Sequence, residues 1–231
     1  MNPKQIAAER AVTHIRGGMT VGLGTGTTAA FAIHALGRRF QSEPLALRCA
    51  ATSQESEALG RSYGLEFVPL EDVSRFDITI DGADEVDPAF RLIKGGGGAL
   101  VREKIVAAAT DREIIIVDSG KVRPALGAFP LPVAVLPFAW TWTQARVADQ
   151  FAVPVPRRLL PSGEPVVTDD GLFLLDMAFG GPLPSPDTLE AVLKTAVGVV
   201  EVGLFVGLCH LLIVGHADGR VEEKAAPAPM G

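Results

Sequence analysis

The sequence predicts a doubly wound α/β sheet carrying a smaller α+β companion domain. Three observations predict it. Strand-like and helix-like segments alternate through the first half of the chain. Prolines 124, 130, 132 and 137 then interrupt that rhythm. After residue 198 the chain returns to continuous apolar runs, which suit strands buried on both faces of a parallel sheet.

The elements follow in order. The opening residues, with Glu9 and Arg10, fit a helix and lack the apolar core of a signal peptide. Residues 19–22 are a short apolar strand ending in glycines. Residues 29–39 place Phe31, Ala32, Ala35 and Leu36 on one helical face. Residues 47–51 form a second strand, and 54–63 a helix that Gly64 ends. Residues 67–70 and 77–80 read as strands, 99–109 as a helix, and 113–117 as a β-branched strand. Beyond residue 121 the prolines exclude a long helix. Residues 131–136 alternate as a strand, and 141–151 look helical. Residues 166–168 and 172–177 flank the turn Asp169-Asp170-Gly171, a hairpin signal. Asp187 is the expected N-cap of a further helix, with Glu190 three residues on. Residues 199–206 and 211–214 are expected to rejoin the first sheet. The expected domains are therefore 1–127 plus 199–224, a companion over 128–198, and a disordered Pro/Ala tail over 225–231.

At 231 residues the chain can bury a sizeable core. Its net charge of −6 argues against a broad nucleic-acid surface, so any phosphate must be bound locally. Cys49 and Cys209 lie in apolar stretches and read as buried free thiols, which suits a reducing cytoplasm. The apolar window 196–215 is long enough to span a membrane, yet Glu201, His210 and internal glycines interrupt it; buried strands are expected there.

Three blocks carry chemistry. Gly22-Leu23-Gly24-Thr25-Gly26-Thr27-Thr28 follows a strand and opens a helix, so backbone N–H groups and threonine hydroxyls suit an anion, the alternative being an ordinary βα turn with a Thr N-cap. Thr27 stands where a dinucleotide fingerprint needs its third glycine, and no ribose-binding acid follows at the usual distance, which disfavours NAD. Asp81-Gly82-Ala83-Asp84-Glu85-Val86-Asp87 lies beyond the carboxyl end of a strand, where open α/β sheets bind ligands. Asp81 and Asp84 suit divided acid and base roles, and equally a magnesium site or a plain acidic turn. Lys94-Gly95-Gly96-Gly97-Gly98 suits a backbone wrapped closely on a ligand, the alternative being a flexible linker between a strand and a helix. Glu103 follows on the next helix, as a base or as an ordinary exposed glutamate. Lys121 stands after the strand ending at Asp118, either reaching a phosphate at the same sheet edge or standing as an ordinary surface lysine. His14, His34, His210 and His216 have no metal-ligand spacing and read as structural.

With Phe129-Pro130-Leu131-Pro132-Val133, and with Arg102-Glu103-Lys104 after the glycines, these blocks resemble, in order and spacing, the ribose-5-phosphate isomerase type A family. The resemblance spans nearly the whole chain. It implies a Rossmann-like sheet with a ferredoxin-like companion domain. It implies cofactor-free and metal-free interconversion of ribose 5-phosphate and ribulose 5-phosphate in the non-oxidative pentose phosphate pathway. Glu103 is then the base, Asp81 assists ring opening or shuttles protons on the sugar oxygens with the catalytic Asp84 nearby, and Lys94 stabilises the enediolate. Thr25, Gly26, Thr27, Thr28, Gly82, Ala83, Gly95, Gly96, Gly97, Lys121 and Lys4 hold the sugar phosphate. A cytoplasmic homodimer or homotetramer is implied, with no nucleic-acid or membrane partner. Departures are Thr27 for serine, Gly98 for alanine, Gly120 before Lys121, and Cys209-His210 where Ala-Asp is common. A non-catalytic sugar-phosphate sensor and a nucleotide-dependent enzyme are the rival readings. The first need not keep Glu103, Asp81 and Lys94 together; the second lacks the Walker lysine.

Overall fold

The computed structural model describes residues 2–227, so the expected tail over 228–231 lies outside the described residues. Along the chain run α1 (Pro3–Val12), β1 (Thr20–Leu23), α2 (Thr27–Ser42), β2 (Arg48–Ala51), α3 (Gln54–Ser62) and β3 (Ile78–Gly82). Two short strands follow, β4 (Glu85–Val86) and β5 (Leu92–Ile93), then α4 (Leu100–Ala108) and β6 (Glu113–Asp118). Next come β7 (Leu131–Val135), α5 (Trp140–Phe151), β8 (Phe173–Met177) and α6 (Pro186–Lys194). The chain closes with β9 (Val199–Val202), β10 (Leu204–Phe205), β11 (Leu211–Gly215) and β12 (Val221–Ala225).

The chain divides into two compact units. The first takes the residues up to Ala83, Arg102–Val122 and those from Gly207 on. Its sheet has the order β12-β11-β6-β3-β1-β2 and is parallel except for β12. Parallel strands covered on both faces need continuous apolar runs. Ile114, Ile115 and Ile116 of β6 are accordingly fully buried. Neighbouring residues of a strand point to opposite faces. Cys49 packs with α1 and α2 residues such as Ala8, Ala11 and Leu36, whereas Ala50 packs with Phe76 and with Val106 of α4. Helices therefore cover both faces, the doubly wound arrangement expected.

Asp84–Val101 and Arg123–Val206 form the second unit. It holds an antiparallel sheet of order β8-β7-β9, flanked in sequence by α5 and α6, and a small sheet of order β10-β5-β4. Leu131, Val133 and Val135 of β7 point into a core with Leu175, Met177, Leu189 and Leu193.

Several local expectations need correction. Residues 199–206 do not rejoin the first sheet: β9 pairs with β7 and β10 with β5, and β11 alone of that apolar window returns to β6. An apolar run announces burial but not which sheet does the burying. Residues 67–70 make one bridge, Phe67 to Cys49, because Pro69 offers no N–H to extend the ladder. Helix α6 starts from Ser185 rather than Asp187, with Pro186 preset for the first turn. Residue 225 ends β12, a strand the sequence reading missed because its charged residues hide the period. Among the described residues no helix is long and apolar enough to cross a membrane.

Both cysteines are free and buried, and burial pushes each thiol up to about 12. Thiolate is the reactive form. Folded protein at pH 8 should therefore consume almost no thiol reagent over minutes, and denatured protein two equivalents. Rapid labelling of the folded protein would contradict this burial.

Candidate active site

The strand order reverses between β1 and β3: β2 lies beyond β1, while β6 and β11 lie beyond β3. Such a switch point opens a crevice at the carboxyl ends of the strands. Chain leaving β1 there becomes the Gly24–Thr28 loop, and β3 ends there in Asp81 and Gly82.

Asp81 ties the two strand ends together. It is 1% exposed. Its Oδ1 accepts the N–H of Gly82 at 2.6 Å and of Thr25 at 3.2 Å. Gly24 has to be glycine, since a Cβ there would fall on the Asp81 carboxyl. The Thr25 hydroxyl lies 2.6 Å from that of Thr52. The Ser56 hydroxyl donates to the Gly24 carbonyl at 2.7 Å. The loop therefore leans on α3 as well as on its own strands.

Gly26 then adopts φ +93°, open to glycine but costly for other residues, and α2 begins. The first intrahelical bond runs from the Ala30 N–H to the Gly26 carbonyl at 2.9 Å. N–H groups of the first turn thus have no acceptor in their own helix and point out of its positive end. Thr27 and Thr28 add their hydroxyls. Lys4 of α1 donates to the Thr27 hydroxyl at 3.1 Å, which brings an ammonium to the loop from the start of the chain. Gly82 lies opposite Thr28, where an added Cβ would sit 3.4 Å from the Thr28 Cβ.

Two more candidates belong to the same unit. Glu103 stands in the first turn of α4, is 4% exposed, and is not the solvated glutamate of the alternative reading. Lys121 closes a 3-10 turn after β6, beside β3, with Asp118 accepting the Gly120 N–H at 2.9 Å. Ala83, the last residue of this segment, is half-buried.

The second unit holds Asp84, Lys94, Gly95, Gly96 and Gly97. Lys94 is 2% exposed. Its backbone N–H donates to the Gly203 carbonyl at 2.8 Å, and its ammonium lies 5.5 Å from the Phe205 ring centroid. Asp84 Oδ2 accepts the Gly96 N–H at 2.7 Å. Gly95 takes φ +102°, and its carbonyl accepts the Gly98 N–H at 3.0 Å, so the four glycines form a defined turn.

The remaining acids of the Asp81–Asp87 block are structural. Glu85, 1% exposed, accepts the N–H groups of Gly127 at 2.7 Å and Phe129 at 2.9 Å. Asp87 accepts the N–H groups of Ala89 and Arg91 and the Arg91 guanidinium. Sequence reasoning missed Arg158, whose guanidinium reaches the glycine turn from 62 residues away in the chain. No local pattern announces such a partner. His210, at the departure noted above, accepts the Glu113 N–H at its Nδ1, at 3.0 Å, and partial burial lowers its pKa.

The family of ribose 5-phosphate isomerase A (phosphoriboisomerase A) matches residues 48–219. Over 226 residues the chain is 46% identical to the ribose-5-phosphate isomerase A of Ruegeria pomeroyi, covering 96% of this chain and 86% of that one. The solved ribose 5-phosphate isomerase of Plasmodium falciparum superposes with a TM-score of 0.94 at 32% identity, over 97% of this chain and 98% of that one. A D-ribose-5-phosphate isomerase in complex with phospho-erythronic acid superposes with a TM-score of 0.92 at 34% identity, over 97% of this chain and 100% of that one. A glycine-rich helix start hydrogen-bonded to a buried carboxylate at a sheet's switch point thus stands in a chain that belongs to the ribose 5-phosphate isomerase A family.

Proposed function

We infer that this chain interconverts D-ribose 5-phosphate and D-ribulose 5-phosphate. The observation that carries the reading is the Thr25–Asp81 contact, which couples an anion-binding loop to a buried carboxylate in one unit. A phosphorylated acid is the ligand of one similar structure, which supports a phosphorylated substrate here.

The chemistry moves one proton between carbons and one between oxygens. In the open-chain aldose, Glu103 removes the proton on C2, and the C–H electron pair becomes the C1–C2 double bond of an enediolate. Lys94 balances the charge that develops on oxygen. Glu103 returns the proton to C1, and the hydroxyl proton passes from O2 to O1. Asp81 and Asp84 carry the proton transfers on the sugar oxygens and assist ring opening. The electrons never leave the sugar, so the reading includes no redox cofactor; with Lys94 balancing the oxyanion it includes no metal either.

The phosphate is held by Thr25, Gly26, Thr27 and Thr28, with Lys4 and Lys121 as cations. Gly82, Ala83, Gly95, Gly96 and Gly97 supply close backbone approach. The buried free thiols support a cytoplasmic setting. The working unit is a homodimer or homotetramer without nucleic-acid or membrane partners; Phe138 and Trp142, 89% and 73% exposed, support a contact between subunits.

EDTA-treated protein should convert ribose 5-phosphate to ribulose 5-phosphate, and binding without turnover would favour a sensor instead. Glu103→Gln keeps size and polarity but not basicity. It should fold normally and lose about 10²- to 10⁴-fold in kcat; wild-type turnover would remove Glu103 from the mechanism. Gly24→Ala should displace Asp81 and lower kcat/KM by about 10²-fold, read against a melting curve showing that the variant is folded.

A further inference from the structure

Arg157 and Arg158 are adjacent in the chain and do different work. The Arg157 guanidinium stacks on Trp140, 4.2 Å from the ring centroid, and on Phe173 at 5.2 Å. Arg158 instead faces the glycine turn. Its Nε donates to Asp176 Oδ2 at 2.9 Å and its Nη2 to Oδ1 at 2.5 Å, a two-point fork. The fork leaves Nη1 aimed at the Gly95 carbonyl at 2.8 Å and the Gly96 carbonyl at 3.1 Å.

One peptide unit is thereby held at both ends. The Gly95–Gly96 peptide gives its C=O to Arg158 and its N–H to Asp84. These groups point in opposite directions from a planar unit. A flip of that peptide would break both bonds at once. Glycine on each side leaves the flip sterically open, so the two side chains must supply the restraint.

We propose that Arg158, oriented by Asp176, is a positioning residue that sets the Gly95–Gly97 backbone for substrate binding. The inference rests on the isomerase reading, in which that backbone approaches the sugar phosphate. Lys94 is anchored separately, through its N–H on the Gly203 carbonyl. The clamp therefore acts on binding more than on the proton-transfer step. A lysine cannot replace it, because one ammonium has no fork to hold Asp176 while reaching two carbonyls.

The test is Arg158→Lys, with Asp176→Asn as the second variant should the first not fold. Steady-state kinetics and amide hydrogen exchange over residues 94–98 are measured on both and on the wild type. The expected result is a KM raised between about ten- and a hundredfold, with kcat within about threefold of wild type, the signature of lost uniform binding. Exchange over 94–98 should quicken, with the rest of the chain unchanged. Unchanged KM and unchanged exchange would overturn the proposal. So would a kcat loss at constant KM, the result of a smaller folded fraction. Were the wild type inactive, the isomerase reading would fail, and the exchange data alone would still decide whether Arg158 holds the turn.

Discussion

The buried carboxylate of Asp81 is the constraint on which the loop geometry at the first unit's switch point depends. One oxygen takes backbone N–H groups from two different strand ends. A buried carboxylate without donors carries a large desolvation cost. Here the donors come from the segments that must be held still. Its need for hydrogen bonds and the loop's need for a fixed position are met by the same contacts. Gly24 follows from this arrangement, because only a residue without Cβ leaves room for the carboxyl.

Much of this was legible beforehand, for identifiable reasons. β-Branched residues in β6, glycines leaving β1 and prolines after residue 121 report local backbone preference, and local preference survives folding. The turn from β1 into α2 was readable because a strand, glycines and a helix start are consecutive in sequence. What was not legible is non-local. Nothing near Val199 says that it pairs with Val135 of β7 rather than with the first sheet. Nothing near Arg158 says that Gly95 accepts its hydrogen bond. The burial of Glu103 was likewise invisible, since a glutamate in the first turn of a helix is ordinarily solvated. Family resemblance pointed to the fold and the activity as a whole and not to these contacts.

The acidic block shows how little composition alone assigns. Asp81, Asp84, Glu85 and Asp87 fall within seven residues, and their surroundings separate them. Glu85 and Asp87 are consumed by loop amides and by Arg91. Asp84 spends one oxygen on the glycine turn. An acid that organises backbone is as sensitive to substitution as one that moves a proton. Lost turnover alone therefore does not separate the two duties.

Strand β12 carries a consequence of another kind. A parallel sheet ending at β11 would offer a flat apolar edge to any passing strand. β12 covers that edge antiparallel, and Glu222, Glu223 and Lys224 stud it with charge. These side chains are already engaged, Glu223 with Arg10 and His14 and Glu222 with Lys224. Charge on this outermost strand discourages further growth of the sheet on that side. Charge at that edge disfavours self-templated pairing in a chain rich in β-branched strands.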